Sequence, residues 1–171
     1  MRTGNPGHLD PLNYIGLRRY FLTFCTDARH PGFAIADAVA LVLEQFVRAA
    51  GDERMAILAY CFMPDHTHLL IEGECETSNA LSVIKRSKQF SGYHYKQRFG
   101  RKLWQRYGFE HVLRDEKATL SVARYILENP IRGGLVKCVE DYAFVGSLKY
   151  SVKEILEAVQ LKDWRRHRRS A

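Results

Sequence analysis

Two apolar stretches of strand length meet at one tight turn, and this pair limits the possible folds more than any other part of the chain. Met55 to Phe62 is an apolar run, Met63-Pro64-Asp65 makes a turn, and His66 to Glu72 reads as the returning strand. Successive strand side chains point to opposite faces. His66 and His68 therefore project together, while Thr67, Leu69 and Ile71 project the other way and can bury themselves to hold the pair rigid.

The remaining elements fit around this pair. Arg19 to Thr26 alternates as a strand, with Tyr20, Leu22 and Phe24 on one face and Phe21, Thr23 and Cys25 on the other. From about Ala34 to Ala50, Val39, Val42, Leu43, Phe46 and Val47 recur at helical spacing, and Gly51 is expected to end that helix. Thr77 to about Arg98 reads as a helix, Glu110 to Arg114 as a short strand, and Lys117 to Glu128 as a helix stopped by Pro130. The order β-α-β-β-α-β-α predicts an α+β fold, a ferredoxin-like antiparallel sheet with packed helices. Residues 1–13, with Gly4, Pro6, Gly7 and Pro11, read as a loose lead-in, and 14–150 as one domain. Tyr142 to Tyr150 is expected to lie outside the core, and 151–171 to form a C-terminal helix and basic tail. No apolar run reaches the roughly 18 residues of a membrane span, and the N-terminus lacks the apolar stretch of a secretion signal. Cys25, Cys61, Cys75 and Cys138 are expected as free thiols in the cytoplasm.

The net charge of +7 is unevenly distributed. Lys85, Arg86, Lys88, Lys96, Arg98, Arg101, Lys102 and Arg106 fall in one stretch without an acid, and Arg165, Arg166, Arg168 and Arg169 lie near the C-terminus. The rest of the chain is net negative. Phe90, Tyr93, Tyr95, Phe99 and Trp104 are interleaved with the first group. Basic groups beside aromatic rings suit single-stranded nucleic acid, with its charged backbone and stackable bases; a solvated helix face with its rings turned to the core gives the same composition.

Two imidazoles on one strand face make half a metal site, and equally make a hydrogen-bonded pair without metal. A third ligand has to come from elsewhere. At 100° per residue, Leu120, Ala123 and Leu127 form the core stripe of the helix beginning at Lys117. Tyr125 and Asn129, four residues apart, share another side with Ala118, Ser121 and Val122. Spacing alone does not single out Tyr125 among nine tyrosines.

A wider pattern does. Tyr60-Cys61-Phe62-Met63-Pro64-Asp65-His66-Thr67-His68-Leu69-Leu70-Ile71 resembles the HUH signature of the IS200-like transposases, with Thr67 where a bulky apolar residue is usual. Arg124-Tyr125-Ile126-Leu127-Glu128-Asn129-Pro130-Ile131-Arg132-Gly133-Gly134-Leu135-Val136 resembles their tyrosine helix. Leu103-Trp104-Gln105-Arg106 and Phe109-Glu110-His111-Val112-Leu113-Arg114 resemble the linking segment of the REP-associated tyrosine transposase branch. The resemblance runs from about Tyr14 to Tyr150. It implies a divalent ion, magnesium or manganese, held by His66, His68 and Asn129, and attack by Tyr125 on single-stranded or hairpin DNA through a 5′-phosphotyrosine link. A free phenol is only about 0.1% ionised at pH 7, so proton removal needs help. Asp65 is a candidate helper, with the turn as its alternative role. The family implies either a homodimer with shared sites or a monomer. Two other readings stay open: a non-catalytic DNA-hairpin-binding protein of the same fold, and a zinc site recruiting Cys61 or Cys75.

Overall fold

The computed structural model describes residues 14–168, with side chains described to residue 160. The expected lead-in of residues 1–13, the side chains of Arg165, Arg166 and Arg168, and Arg169 altogether lie outside the described residues. Ten main elements follow one another: β1 Arg19–Cys25, α1 Ala36–Asp52, β2 Met55–Met63, β3 His66–Gly73, α2 Ala80–Phe99, β4 Phe109–Leu113, α3 Glu116–Leu127, α4 Asn129–Arg132, β5 Val145–Gly146 and α5 Val152–Arg168. The strands form one antiparallel sheet in the order β4-β1-β3-β2-β5. This is the expected α+β, ferredoxin-like arrangement, with β3 between β1 and β2.

Each sheet face has its own core. Tyr20, Leu22 and Phe24 of β1 and Leu69 and Ile71 of β3 pack with α1 and α2 through Val42, Phe46, Val83 and Tyr95. Trp104 closes that layer against Phe24, Phe33 and Phe46, and its indole donates to the Ser91 hydroxyl at 2.9 Å. Leu70, Cys61, Met63 and Leu113 face the other way, under Ala123, Ile126 and Leu127 of α3 and Ile155 of α5. A bulge between Ile57 and Ala59 shifts the register of β2. An extra residue turns the following side chains to the opposite face, so Cys61 and Met63 lie with the α3 layer while Ile57 lies with α1 and α2.

Several details differ from the sequence reading. Gly51 does not end α1, which continues to Asp52 and stops where Arg54 takes φ 51°. Val145–Gly146, in the stretch expected outside the core, adds a fifth strand beside Tyr60 and Cys61. It is held by the Tyr142 hydroxyl donating to the Phe62 carbonyl at 2.7 Å. The buried stripe of α3 is Thr119, Ala123, Ile126 and Leu127, with Leu120 only half-buried. α3 ends before Asn129, and Pro130 falls in the first turn of the short α4, where a missing N–H costs little.

Thr67 is fully buried and its hydroxyl donates to the Cys61 carbonyl at 3.1 Å. Thr67→Val should change stability by less than about 1.5 kcal/mol, since one ordinary hydrogen bond is exchanged for a methyl. Leu69→Ala, two residues on in the same core, should cost about 2–5 kcal/mol. Urea denaturation of both variants checks the contrast.

Candidate active site

β3 brings His66 and His68 to the sheet face covered by α3, with ring centroids 4.8 Å apart. The two rings are fixed by different partners. His66 Nδ1 donates to Asp65 Oδ1 at 2.6 Å, and the other Asp65 oxygen accepts from Arg29 Nε at 2.8 Å. An ionised carboxylate only accepts hydrogen bonds, so the proton of neutral His66 sits on Nδ1 and the lone pair on Nε2. Asp65 is thus engaged with His66, not with the tyrosine that the sequence offered as its partner. Arg29 reaches Asp65 from a turn in which Ala28 and Arg29 both take positive φ, 51° and 55°. Non-glycine residues in this region carry strain, and such strain collects at functional sites.

His68 is held from the neighbouring strand. Thr23 is its partner across β1 and β3, and the Thr23 hydroxyl lies 2.8 Å from His68 Nδ1. The opposite ring nitrogen, Nε2, is buried without a hydrogen-bond partner. Burial, with the nearby His66 and Arg29, pushes the His68 pKa down to about 3, so the ring is neutral at physiological pH. A buried, neutral imidazole with a free nitrogen suits metal ligation, and its Thr23 contact resembles the outer partners that orient metal-binding histidines. Among the described residues no group of three or more His, Cys, Asp or Glu converges for a metal, so the remaining ligands would be of another type. Cys61 lies across β2 from His68, but burial raises its thiol pKa to about 12 and disfavours the thiolate a zinc site requires.

Tyr125 extends from α3 over the same face. Its ring meets His68 edge-on at 5.4 Å between centroids and Phe21 at 5.9 Å, while Phe21 lies 5.5 Å from His68. The ring is 39% exposed. The guanidinium of Arg132 stands 4.7 Å from its centre and is held there by Glu128, which accepts at 3.0 Å. Arg132 follows Tyr125 by seven residues, about two helical turns, so helical spacing alone could have found it. Asn129 begins α4, which packs against β2, and is 8% exposed. Beyond its neighbours on α3, Tyr125 meets Phe21, His68 and Arg132.

The basic stretch falls mainly on and after α2, which packs with α1 on the far side of the sheet. Arg86 pairs with Asp52 at 2.7 Å, Arg98 with Asp37, and Lys102 with Asp27 at 2.7 Å. Lys88 is half-buried, 5.0 Å over the Phe24 ring, and donates to the Gln105 carbonyl at 3.3 Å. Lys85, Lys96, Arg101 and Arg106 are exposed and form no ion pair among the described residues. Of the interleaved aromatics, Tyr95 and Trp104 are buried and Phe99 half-buried, leaving Phe90 and Tyr93 exposed. The loop after α2 nevertheless returns to the histidine end of the sheet. Gln105 N donates to Cys25 O at 3.0 Å, and Cys25 is the cross-strand partner of His66.

The family described as Transposase IS200 like matches residues 17–129, a span holding both histidines, Tyr125 and, at its end, Asn129. A Haemophilus influenzae protein assigned as a REP-associated tyrosine transposase is 31% identical over 99 residues, covering 51% of this chain and 56% of that protein. The chain therefore spans about half the length of that relative. A solved structure described as a REP-associated tyrosine transposase bound to a REP hairpin matches at a TM-score of 0.67 and 22% identity, covering 77% of this chain and 78% of that one. That likeness establishes the fold. A Deinococcus radiodurans structure assigned as a transposase matches at a TM-score of 0.49 and 21% identity, covering 75% of this chain and 97% of that one.

His68 also sets a pH dependence. Its folded value near 3 lies below the ordinary 6.5, so between those values the unfolded chain takes up a proton that the folded chain does not. This contribution is present in full above about pH 6.5 and is lost as pH falls toward 3. Denaturation in EDTA from pH 7 to 4 should show His68→Gln losing less stability than the wild type, by up to about 1.4 kcal/mol per pH unit. Equal slopes would contradict the buried neutral ring.

Proposed function

Because the chain belongs to the IS200-like transposase family, we propose that it is a single-stranded DNA endonuclease and strand transferase with Tyr125 as nucleophile, acting at DNA hairpins. The observation that carries this reading is the packing of Tyr125 against His68 in its own chain, beside a buried nitrogen that lacks a partner. A hairpin substrate is suggested by the ligand in the structurally similar REP-associated enzyme.

The chemistry of the donors fits a divalent cation, magnesium or manganese. His66 and His68 would hold it through their Nε2 atoms, with the amide of Asn129 as the third protein ligand. When bound, such an ion polarises the scissile phosphate and offsets charge developing in the transition state. The phenol oxygen of Tyr125 gives up its proton to solvent and attacks phosphorus, the Tyr–O–P bond forms, and the bond from phosphorus to the 3′ oxygen breaks. The leaving 3′ oxygen takes up a proton to become a hydroxyl, and the 5′ phosphate remains on the enzyme. Attack by a 3′ hydroxyl reverses the step and rejoins the strand, with no energy source beyond the phosphodiester itself. Arg132, 4.7 Å from the centre of the Tyr125 ring, would pair with the phosphate under attack.

Tyr125 acts within its own subunit in this scheme, so a homodimer is compatible with it and not required. We assign phosphate contacts first to Lys85, Lys96, Arg101 and Arg106, which carry no ion pair among the described residues. Arg86, Lys88, Arg98, Lys102 and the tail residues Arg165, Arg166, Arg168 and Arg169 are secondary candidates. The catalytic unit is taken as 14–150, with 151–171 as an extension whose α5 buries Ile155 and Val159. No described helix is long and apolar enough to cross a membrane, and DNA as the substrate assigns the chain to the cytoplasm.

Incubation with a hairpin bearing single-stranded flanks and Mn²⁺ should give a covalent protein–DNA adduct that survives denaturing electrophoresis. Tyr125→Phe should abolish the adduct and leave hairpin affinity within about twofold, since a hydroxyl is lost and the ring stays. Binding by the wild type without any adduct would replace this reading with the non-catalytic hairpin binder. Asp65→Ala should weaken Mn²⁺ affinity about 10–100-fold in titration calorimetry without DNA, because His66 loses the partner that fixes its ring.

A further inference from the structure

The sheet face that carries Tyr125 continues past it to an exposed aromatic edge. Phe109 of β4 lies opposite Thr23 of β1, and Thr23 lies opposite His68 of β3. Directly opposed residues share a sheet face, so Phe109 stands in the same cross-strand row as His68, two strands away. At a strand spacing of 4.7–4.9 Å, that is about 9–10 Å between backbones. Phe21 fills the space between them, its ring 5.5 Å from His68 and 5.9 Å from Phe109. Beyond it His111 lies nearly parallel to Phe109, with 6.2 Å between centroids and 18° between planes.

This edge is open where the rest of the face is closed. Leu113, on the same face of β4, is buried with α3, whereas Phe109 is 48% exposed and His111 is exposed. Packing accounts for Phe21 but leaves about half of Phe109 exposed. Cations are present near this face and in the chain leading to it. Arg132 lies over Tyr125, and Arg106, in the loop leading into β4, lies 5.2 Å from the centre of the Tyr107 ring. Exposed flat rings with guanidinium groups nearby match a single nucleic-acid strand, whose bases stack while its phosphates pair with cations.

We infer that Phe109, backed by His111, is a stacking platform for an unpaired DNA base flanking the phosphate presented to Tyr125. The inference rests on the assignment of Tyr125 as the reacting residue for its biological sense, but the base contact is a binding property measurable without cleavage. The sheet side of the platform is set by strand register, so it does not depend on whether a metal is bound. Stacking is tolerant of base identity, so the platform would grip any unpaired base and leave sequence choice to other contacts.

The full chain, in EDTA, is titrated by fluorescence anisotropy against an oligo-dT strand and against an abasic tetrahydrofuran strand of equal length, which keeps the phosphates and removes the bases. The wild type should prefer oligo-dT by about fivefold or more, the equivalent of at least one base stacked on an aromatic ring. Phe109→Ala should lose most of that preference while its affinity for the abasic strand stays unchanged. Phe109→Trp should restore it, with indole fluorescence quenched by oligo-dT and not by the abasic strand. A preference unchanged in Phe109→Ala overturns the proposal. So does a sedimentation profile in which Phe109→Ala separates a dimer while the base preference persists, since the edge would then belong to a second copy of the chain. Failure of the Tyr125 assignment would instead appear as a wild type that forms no covalent adduct, or an adduct that persists in Tyr125→Phe, with the oligo-dT preference intact.

Discussion

β3 is hydrogen-bonded on both edges and covered on both faces, and its register decides which sheet face His66 and His68 occupy. With a side-chain period of two, a slip of one residue would turn His66 and His68 into the α1 and α2 core and bring Leu69 and Ile71 to the opposite face. Two imidazoles in an apolar layer would lose Asp65 and Thr23 as partners, at a cost of about 1–3 kcal/mol for each polar group left unsatisfied. The apolar residues of β3 thus do more than fill a core. They hold the histidines on the sheet face they share with Thr23, Phe21 and Phe109.

Local costs collect at this same end of the sheet. His68 keeps a ring nitrogen buried without a partner, and Ala28 and Arg29 adopt left-handed backbone so that Arg29 reaches Asp65. Each is a departure of order 1–3 kcal/mol from what folding alone would select. In the opposite layer Phe24, Phe33, Phe46 and Trp104 interlock, the Trp104 indole N–H is satisfied by Ser91, and the left-handed Arg54 sits exposed at the end of α1, away from that packing. One layer is built for stability and offsets the other, in which geometry is held against local preference.

Legibility in the sequence followed periodicity. The β2–β3 pair, the amphipathic α1 and α3 and the shared face of His66 and His68 could be read directly, because each spans enough residues for a period to appear. The bulge at Ile57 and Ala59 could not, since one inserted residue leaves no trace in a continuous apolar run. β5 could not either: two residues held by the edge of β2 and the Tyr142 hydroxyl show no alternation. Gly51 looked like a helix stop because glycine is a poor helix former, yet its position within the last turn of α1 makes that penalty small. Asp65 was visible as a polar group beside the histidines, but only the Arg29 contact, 36 positions away in sequence, shows which way it points.

The basic stretch shows how far a charge count can be carried. As sequence, its eight cations fitted both a nucleic-acid surface and a solvated helix face. In the fold, Arg86, Arg98 and Lys102 pair with acids on α1 or in adjoining turns, and Lys88 is set against Phe24. These pairs are not lost to a nucleic acid. The side chains of Arg86, Arg98 and Lys102 are 40%, 55% and 64% exposed, and exposed pairs contribute roughly 0–1 kcal/mol. A phosphate displaces such a partner at little cost while counterions are released from the DNA. The half-buried Lys88 is different, because drawing it out would sacrifice both its hydrogen bond to Gln105 and its packing on Phe24. The loop that Lys88 pins is the one that carries Arg106 and leads into Phe109. A cation withdrawn from the surface therefore still bears on the histidine end of the sheet, by fixing the approach to β4.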